Sequence, residues 1–313
     1  MNEILKKAEY RNIFFVVVFL FLVVCILLRI FAIPYFDPTL AFAWTGYVSL
    51  ILQGLAQSLL ITIFVGSFVF WLTPKVMQKS TMEVVEPKQI NSLLRKAIPD
   101  SRYWAYKGGC GRYTRAVTIP LMAEAARNQG FGRDIRISLL NPSDDQLCEH
   151  YANYRRSLKS AHDGDPWTAD LVKSEIVATI VAALRTKHDE PLLDIQISLA
   201  NYFSSFRLDI SDQYTIVTKE DKEAAGLRAD AGSYFYDSYK DDLRLTELQS
   251  QFVDYDKPIP SANLLSDEIL RSIVGELKLF SEDQLARLDF PKIMELLKNK
   301  VDPYAPKKKG WGI

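Results

Sequence analysis

The chain has 313 residues and balances 38 Lys and Arg against 38 Asp and Glu, so nothing in its global charge argues for nucleic acid as a partner. Its three cysteines, Cys25, Cys110 and Cys148, are an odd number without metal-ligand spacing, which fits a reducing cytoplasm and gives no sign of a metal site.

From Ile13 to Ile33 almost every residue is apolar, and no charged residue occurs between Asp37 and Lys75. About twenty apolar residues cross a bilayer core as a helix, and a soluble core helix does not stay apolar on every face for this length. The pattern predicts an α-helical transmembrane hairpin over residues 1–79, with spans at about 13–33 and 47–72 and a tight linker, Pro34–Pro38. A cleaved signal peptide fits less well, because the first run is long, lacks a small-residue cleavage site and is soon followed by a second. Lys6, Lys7 and Arg11 precede the first span, Lys75 and Lys79 follow the second, and the linker carries only Asp37. The positive-inside bias therefore places both termini in the cytoplasm. Trp44, Tyr47 and Trp71 fall near the expected interfaces, and Arg29, toward the outer end of its helix, is placed to snorkel to head groups.

Lipid gives helices no hydrophobic reason to associate, so small and polar residues mark contact faces. Gly54, Ser58, Thr62 and Gly66 recur every fourth residue; beside them run Gly46, Ser49, Gln53 and Gln57. Two readings stay open. The stripes pack on the first span, or they mediate homo-oligomerisation around a polar passage. The first span has almost no polar side chains to satisfy two glutamines, which favours contact between protomers. Gln53, Gly54, Gln57, Ser58, Thr62 and Gly66 are the candidate packing or pore residues.

Residues 80–100 read as a connector with a short helix, 101–260 as a cytoplasmic α/β domain, and 261–313 as C-terminal helices with a basic tail at Pro306–Trp311. Tyr103–Tyr106 is an aromatic strand, Lys107–Gly111 a turn, and Arg112–Asn128 a helix stopped by Gly130. Asp134–Leu140 alternates apolar and polar positions and ends at Asn141-Pro142, completing a β–α–β unit with parallel pairing. A helix over Ser143–Ser160 with Ser143 as N-cap, a break at Asp163–Pro166, a helix over Trp167–Arg185 and a strand over Leu192–Leu199 follow. Phe206–Ile210 and Tyr214–Val217 form a hairpin; Tyr236–Phe252, Ala262–Phe280 and Asp283–Lys298 are helical, with a capping box at Ser281–Gln284. The expected fold is a mixed sheet flanked by helices.

Lys107-Gly108-Gly109-Cys110-Gly111-Arg112 leaves a strand and enters a helix, where free amides and the helix dipole favour anions. It lacks the spacing of a Walker A loop or a dinucleotide fingerprint. Arg112 and Arg115 lie one turn apart, so a phosphate or acidic-group site at Gly108, Gly109, Gly111, Arg112 and Arg115 stands beside the plainer reading of a tight turn with solvated arginines. Asp237, Asp241 and Asp242 beside Tyr234, Tyr236 and Tyr239 read either as the solvated face of an amphipathic helix or as a partner interface.

The β–α–β order, the late hairpin and one spacing resemble the phospholipase D-like superfamily, whose His-x-Lys-x-x-x-x-Asp motif supplies a phosphorus-attacking histidine and a phosphate-gripping lysine. Here Ser205, Arg207 and Asp212 stand at those three offsets. The serine replaces the nucleophile, and His150, His162 and His188 are all remote from it in sequence. The resemblance therefore implies a degenerate relative that binds phosphate, with Arg207 joining Arg112 and Arg115, and needs neither metal nor cofactor. Two spans anchoring a cytoplasmic sensor also look like the two-transmembrane effectors of bacterial antiphage systems, encoded beside retron reverse transcriptases or cyclic-oligonucleotide synthases. That resemblance implies an inner-membrane protein that damages the membrane and aborts infection, with membrane lipid, its own copies, and a reverse transcriptase carrying an RNA–DNA hybrid or a nucleotide second messenger as partners. A membrane-anchored phosphodiesterase using Ser205, Arg207 and Asp212 is the alternative, and a membrane scaffold without ligand the third.

Overall fold

Apolar side chains at nearly every position leave a helix no polar face, and the N-terminal segment of the computed structural model is two such helices. The structure describes residues 8–37, 42–72, 82–162, 166–299 and 301–305. Lys6, Lys7, Lys75, Lys79 and the basic tail at Pro306–Trp311 fall outside them, as does most of the break expected at Asp163–Pro166. The contacts divide the chain into two units, residues 1–80 and 81–313.

In the first unit α1 (Ala8–Leu27) runs on through a π turn at Leu28–Ala32 into a last helical turn, Ile33–Phe36. Pro34 supplies no N–H and crowds the preceding turn, and widening the helix there accommodates it. The partner helix α2 (Ala43–Leu72) begins four residues before the expected start of the second span. Both are long and apolar enough to cross a membrane, over Asn12–Phe36 and Trp44–Val69. Phe19, Leu20, Leu60, Ile61 and Phe64 are all exposed, far more apolar surface than a soluble monomer shows. Asp37, the lone charge of the linker, is buried, and its carboxylate accepts hydrogen bonds from the Thr45 hydroxyl (2.7 Å) and the Phe42 amide (2.9 Å). An anion at the start of α2 meets the positive end of the helix dipole.

The second unit is built on an eight-stranded mixed sheet in the order β1-β7-β6-β5-β2-β3-β4-β8. The strands are β1 (Glu83–Val85), β2 (Tyr103–Lys107), β3 (Arg133–Leu140), β4 (Leu193–Ala200), β5 (Phe206–Ser211), β6 (Tyr214–Lys219), β7 (Gly226–Asp230) and β8 (Gln251–Val253). β2, β3 and β4 are parallel, as the β–α–β reading requires, with Tyr106 opposite Ile137 and Ile137 opposite Ile197. The remaining pairs are antiparallel. Side chains alternate across the sheet. Trp104 and Tyr106 enter the main core, while Ala105 faces a smaller one with Leu208, Ile210, Tyr236 and Leu243.

Helix α3 (Pro87–Ala97) buries Ile90, Leu94 and Ala97 in that main core, so residues 83–97, expected as a connector, belong to the domain. Arg133 secures the turn after α3 by donating to the carbonyls of Ile98, Pro99 and Ser101. Helix α4 (Ile119–Gln129) ends at Gly130, whose φ of 68° is the left-handed C-cap that glycine adopts without strain. Helix α5 (Asp145–Arg156) is capped by Asp144, whose carboxylate accepts from Leu147 N–H, and not by Ser143, which bonds Asn141 instead. Helix α6 (Ala169–Asp189) lies at the centre of the core, with residues on every face buried.

Helix α7 (Tyr234–Leu248) covers the other face of the sheet and stops earlier than its apolar pattern suggests. Phe252 then lies in β8, paired with Ser198 of β4. The C-terminal helices are shorter than expected: α8 (Asp267–Glu276), α9 (Glu282–Arg287) and α10 (Phe290–Lys298). Asp289 and Pro291 end one helix and start the next, since proline fits only the first turn. The expected capping box is present, with Ser281 and Gln284 bonding reciprocally.

Candidate functional site

In open α/β sheets ligands bind outside the carboxyl ends of the strands, where the strand order reverses. β2 is that strand here, with parallel β3 on one side and antiparallel β5 on the other. The glycine turn leaves its carboxyl end beside a cavity of about 230 Å³.

The turn is tightly built. Gly108 N–H donates to the Ser138 carbonyl (3.1 Å), Gly109 N–H to Glu220 Oε1 (3.1 Å) and Gly111 N–H to Tyr106 Oη (3.2 Å). Each of these three amides is engaged by the chain itself, so the turn is not the open anion cradle its sequence suggests. Gly111 has a φ of 69°, and a Cβ there would come within 2.9 Å of Leu139 and Thr179.

Arg112 and Arg115 share one carboxylate, Glu175, but only Arg112 reaches the cavity. Arg115 turns under the loop, 7% exposed, with Nη2 2.5 Å from Glu175 Oε2 and Nη1 donating to the Glu175 carbonyl and Thr179 Oγ1. It is a structural group and does not face the cavity. Arg112 is half-exposed on the rim, its Nε 3.0 Å from Glu175 Oε1 and its guanidinium 5.6 Å from the centre of the Trp167 ring. Arg207 lies in the wall, 6% exposed, among the rings of Tyr106, Tyr113 and Tyr304. Its Nη1 donates to Tyr304 Oη (3.2 Å), and its Nη2 is 2.7 Å from Asp209 Oδ2, an ion pair out of line for a hydrogen bond. Burial raises the Asp209 carboxyl above the usual range, with Arg207 pulling against it.

Of the six residues expected to hold an anion, Gly111, Arg112 and Arg207 line the cavity. Spacing gave no sign of its other basic wall residues, Arg155, Lys219 and Lys222. Arg155 donates to both the carbonyl and the carboxylate of Glu220, 65 residues away, and stacks 4.5 Å from Trp167. Residues 301–305 form one side: Asp302 pairs with Arg95 (2.8 Å), and Tyr304 packs edge-on to Tyr113 at 5.4 Å.

The motif-like trio does not assemble. Ser205 is exposed just before β5 and Asp212 just after it. Seven residues at about 3.3 Å each put them about 23 Å apart, and on opposite faces of the strand. Asp212 instead accepts the amides of Arg102 (2.6 Å) and Tyr103 (3.0 Å), sealing the start of β2. His150 and His188 are exposed helical residues. Among the described residues no group of three or more His, Cys, Asp or Glu could hold a metal ion.

In the hairpin, Gln53 accepts a hydrogen bond from Arg29 (2.9 Å), so the first span does satisfy one glutamine. Gly66 lies against Phe15 of α1, where a Cβ would meet the ring at 3.1 Å, whereas a Cβ at Gly54 would meet nothing within 4 Å. Thr62 bonds back to the Ser58 carbonyl, and Gln57 and Ser58 are exposed. The small-residue stripe is thus divided, one end on α1 and the other open. Of the acidic–aromatic patch, Asp242 pairs with Lys107 (2.8 Å) and Tyr236 is buried with its hydroxyl on the Ser211 carbonyl, as in an amphipathic helix.

Cys110 and Cys148 are buried free thiols, and burial pushes Cys148 up to about 12 and Cys110 well above its ordinary value. Both are therefore protonated at neutral pH, and thiolate reactivity returns only as pH rises toward the raised values. Ellman's reagent at pH 8 is expected to leave both unmodified in the folded domain and to label them promptly in guanidinium.

The fold and site define a chain with an apolar two-helix hairpin and a mixed-sheet α/β domain carrying a cation-lined cavity at the sheet's switch point. No known family model and no curated protein matches it.

Proposed function

We propose that this chain is a bacterial inner-membrane effector of antiphage defence. In this reading the hairpin crosses the bilayer with both termini in the cytoplasm, and the α/β domain is a non-catalytic receptor for a phosphate-bearing ligand. Ligand binding, or release from a nucleic-acid-linked partner such as a reverse transcriptase with its RNA–DNA hybrid, frees the hairpin of an oligomer to disrupt the membrane. The observation that carries the reading is the cavity, in which Arg112, Arg155 and Arg207 converge between aromatic walls. Guanidinium forks suit phosphate, so a phosphate-bearing ligand fits the chemistry.

The phospholipase D-like alternative keeps only Arg207 at the site, with Ser205 outside the cavity wall and Asp212 at the far end of β5. One experiment separates the readings. The chain is expressed in bacteria beside a Ser205→Ala twin, with a membrane-potential dye and propidium uptake as readouts. The expected result is depolarisation by both. Damage by the parent alone would transfer the case to phospholipid hydrolysis, and intact membranes in both, with the proteins present, would count against release from a partner as the trigger and leave ligand binding as the one to test.

A further inference from the structure

The anion position of the glycine turn is already filled, by the chain itself. Glu220, one residue past β6, places Oε1 3.1 Å from Gly109 N and Oε2 3.1 Å from Arg155 Nη1. A carboxylate bridging a turn amide and a guanidinium uses the donors that grip a phosphate. Resting on the receptor reading above, we infer that Glu220 is a built-in counter-ligand: its carboxylate holds the place of the ligand's phosphate and is expelled when that phosphate enters.

Three observations carry this. First, the other carboxylates that neutralise the cavity arginines cannot leave. Glu175, which holds Arg112 and Arg115, is buried within α6, and Asp209, which holds Arg207, is buried within β5. Glu220 alone of these three stands on a connecting segment, residues 220–225, none of whose residues is fully buried. Second, Glu220 does not use all that the cavity offers. Besides Arg155, the basic residues Arg112, Arg207 and Lys219 line its wall. A phosphate, with three acceptor oxygens and up to two charges, supplies more acceptors than one carboxylate. Third, the cavity's size suits a compact anion. Its volume of about 230 Å³ is below the roughly 300–1,000 Å³ of sites for drug-sized molecules.

The geometry also gives the exchange an output. Lys222 and Glu223, in the segment that Glu220 begins, line a second cavity together with Pro303 and Tyr304 of the C-terminal segment. Tyr304 is the group hydrogen-bonded to Arg207. Expelling Glu220 therefore loosens a loop that shares both cavities' walls with residues 303–305.

The test uses the full chain in lipid nanodiscs, with pyrophosphate as the probe, near 0.15 M salt so that unspecific attraction is screened. By hydrogen exchange, pyrophosphate is expected to slow exchange at residues 108–112 and to speed it at 220–226, the reverse of simple ligand protection at the second segment. By calorimetry, Glu220→Gln is expected to bind at least tenfold tighter than the parent, because the glutamine keeps an acceptor for Gly109 N–H but loses the competing charge. Arg155→Gln is expected to bind at least tenfold weaker. If pyrophosphate binds in an Arg155-dependent way but protects both segments, and Glu220→Gln keeps the parent's affinity and melting temperature, the counter-ligand is refuted while the receptor reading stands. If neither the parent nor Glu220→Gln binds, both fall. Should Glu220→Gln not fold, the exchange pattern of the parent decides alone.

Discussion

Replacing Glu175 by alanine is expected to be among the most destabilising single changes in the α/β domain, at about 3–5 kcal/mol, the usual effect of removing one partner of a buried ion pair. Arg115 is 7% exposed and pairs with Glu175 Oε2 at 2.5 Å, so the change leaves a guanidinium without its counter-charge in a dry core. It keeps hydrogen bonds to the Glu175 carbonyl and Thr179 Oγ1, which tempers the loss without restoring the charge balance. For a domain of this size, each kcal/mol moves the melting temperature by about 2–4 °C, so a fall of roughly 6–20 °C is expected in thermal unfolding followed by near-ultraviolet circular dichroism. The double variant Arg115→Met with Glu175→Leu is expected to regain most of that loss, since well-packed apolar replacements of buried pairs are often neutral. A single-variant loss below about 1 kcal/mol would mean that water reaches the pair, the range of exposed ion pairs. The damage would extend to the cavity, because Thr179 Oγ1 also donates to the Cys110 carbonyl in the glycine turn, and Glu175 holds rim residue Arg112.

This pair also shows where sequence reasoning stopped. Arg112 and Arg115 are one turn apart, and in an α-helix they would share a face. They do: the Arg115 amide bonds the Gly111 carbonyl in α-helical register, and both side chains reach Glu175, Arg112 from the rim and Arg115 from the buried side. What no local pattern announces is Glu175, a buried carboxylate 60 residues beyond Arg115 that pairs with both. The three parallel strands were legible because they are rich in β-branched or aromatic residues, and β2 and β3 end at Gly108 and at Asn141-Pro142. β1 and β8 were not, since each has three residues and is specified by its neighbour in the sheet. Phe252 extended the apolar pattern of α7 and was read as helix, although pairing with Ser198 decides its state. At the site, Gly111, Arg112 and Arg207 stood out through nearby spacing. Arg155 and Glu220 did not, because their contact spans 65 residues and depends on how β6 meets α5. In the hairpin, Arg29 was assigned to head groups, yet it reaches Gln53 24 residues away on the other helix.

The proposed receptor and the glycine turn make opposite demands on residues 108–111, and Gly109→Ala separates them. The backbone of Gly109 has no positive φ, so its glycine is not explained by conformation. It is explained by space: a Cβ would come within 2.0 Å of Tyr151 Oη, 2.2 Å of its Cζ and 2.7 Å of Cε2. Tyr151 cannot swing away, being 1% exposed and packed edge-on against Trp167 and Phe203. Trp167 in turn carries Arg112 and Arg155, so a displaced Tyr151 moves the stack that orders two cavity cations. Gly109→Ala is expected to lose about 3 kcal/mol, the upper part of the overpacking range, in urea unfolding with an unchanged slope. Tyr151→Phe is expected to give little relief when combined with it, because the ring carbon at 2.2 Å remains. Tyr151→Leu vacates the contact, and the pair Gly109→Ala with Tyr151→Leu is expected to be less destabilised than the sum of its parts, a coupling measurable in a double-mutant cycle. Additivity in that cycle would mean that the loop yields instead of the ring. A Gly109→Ala variant that keeps full stability but loses pyrophosphate binding would instead mean that the glycine is kept for the approach of a ligand to its amide.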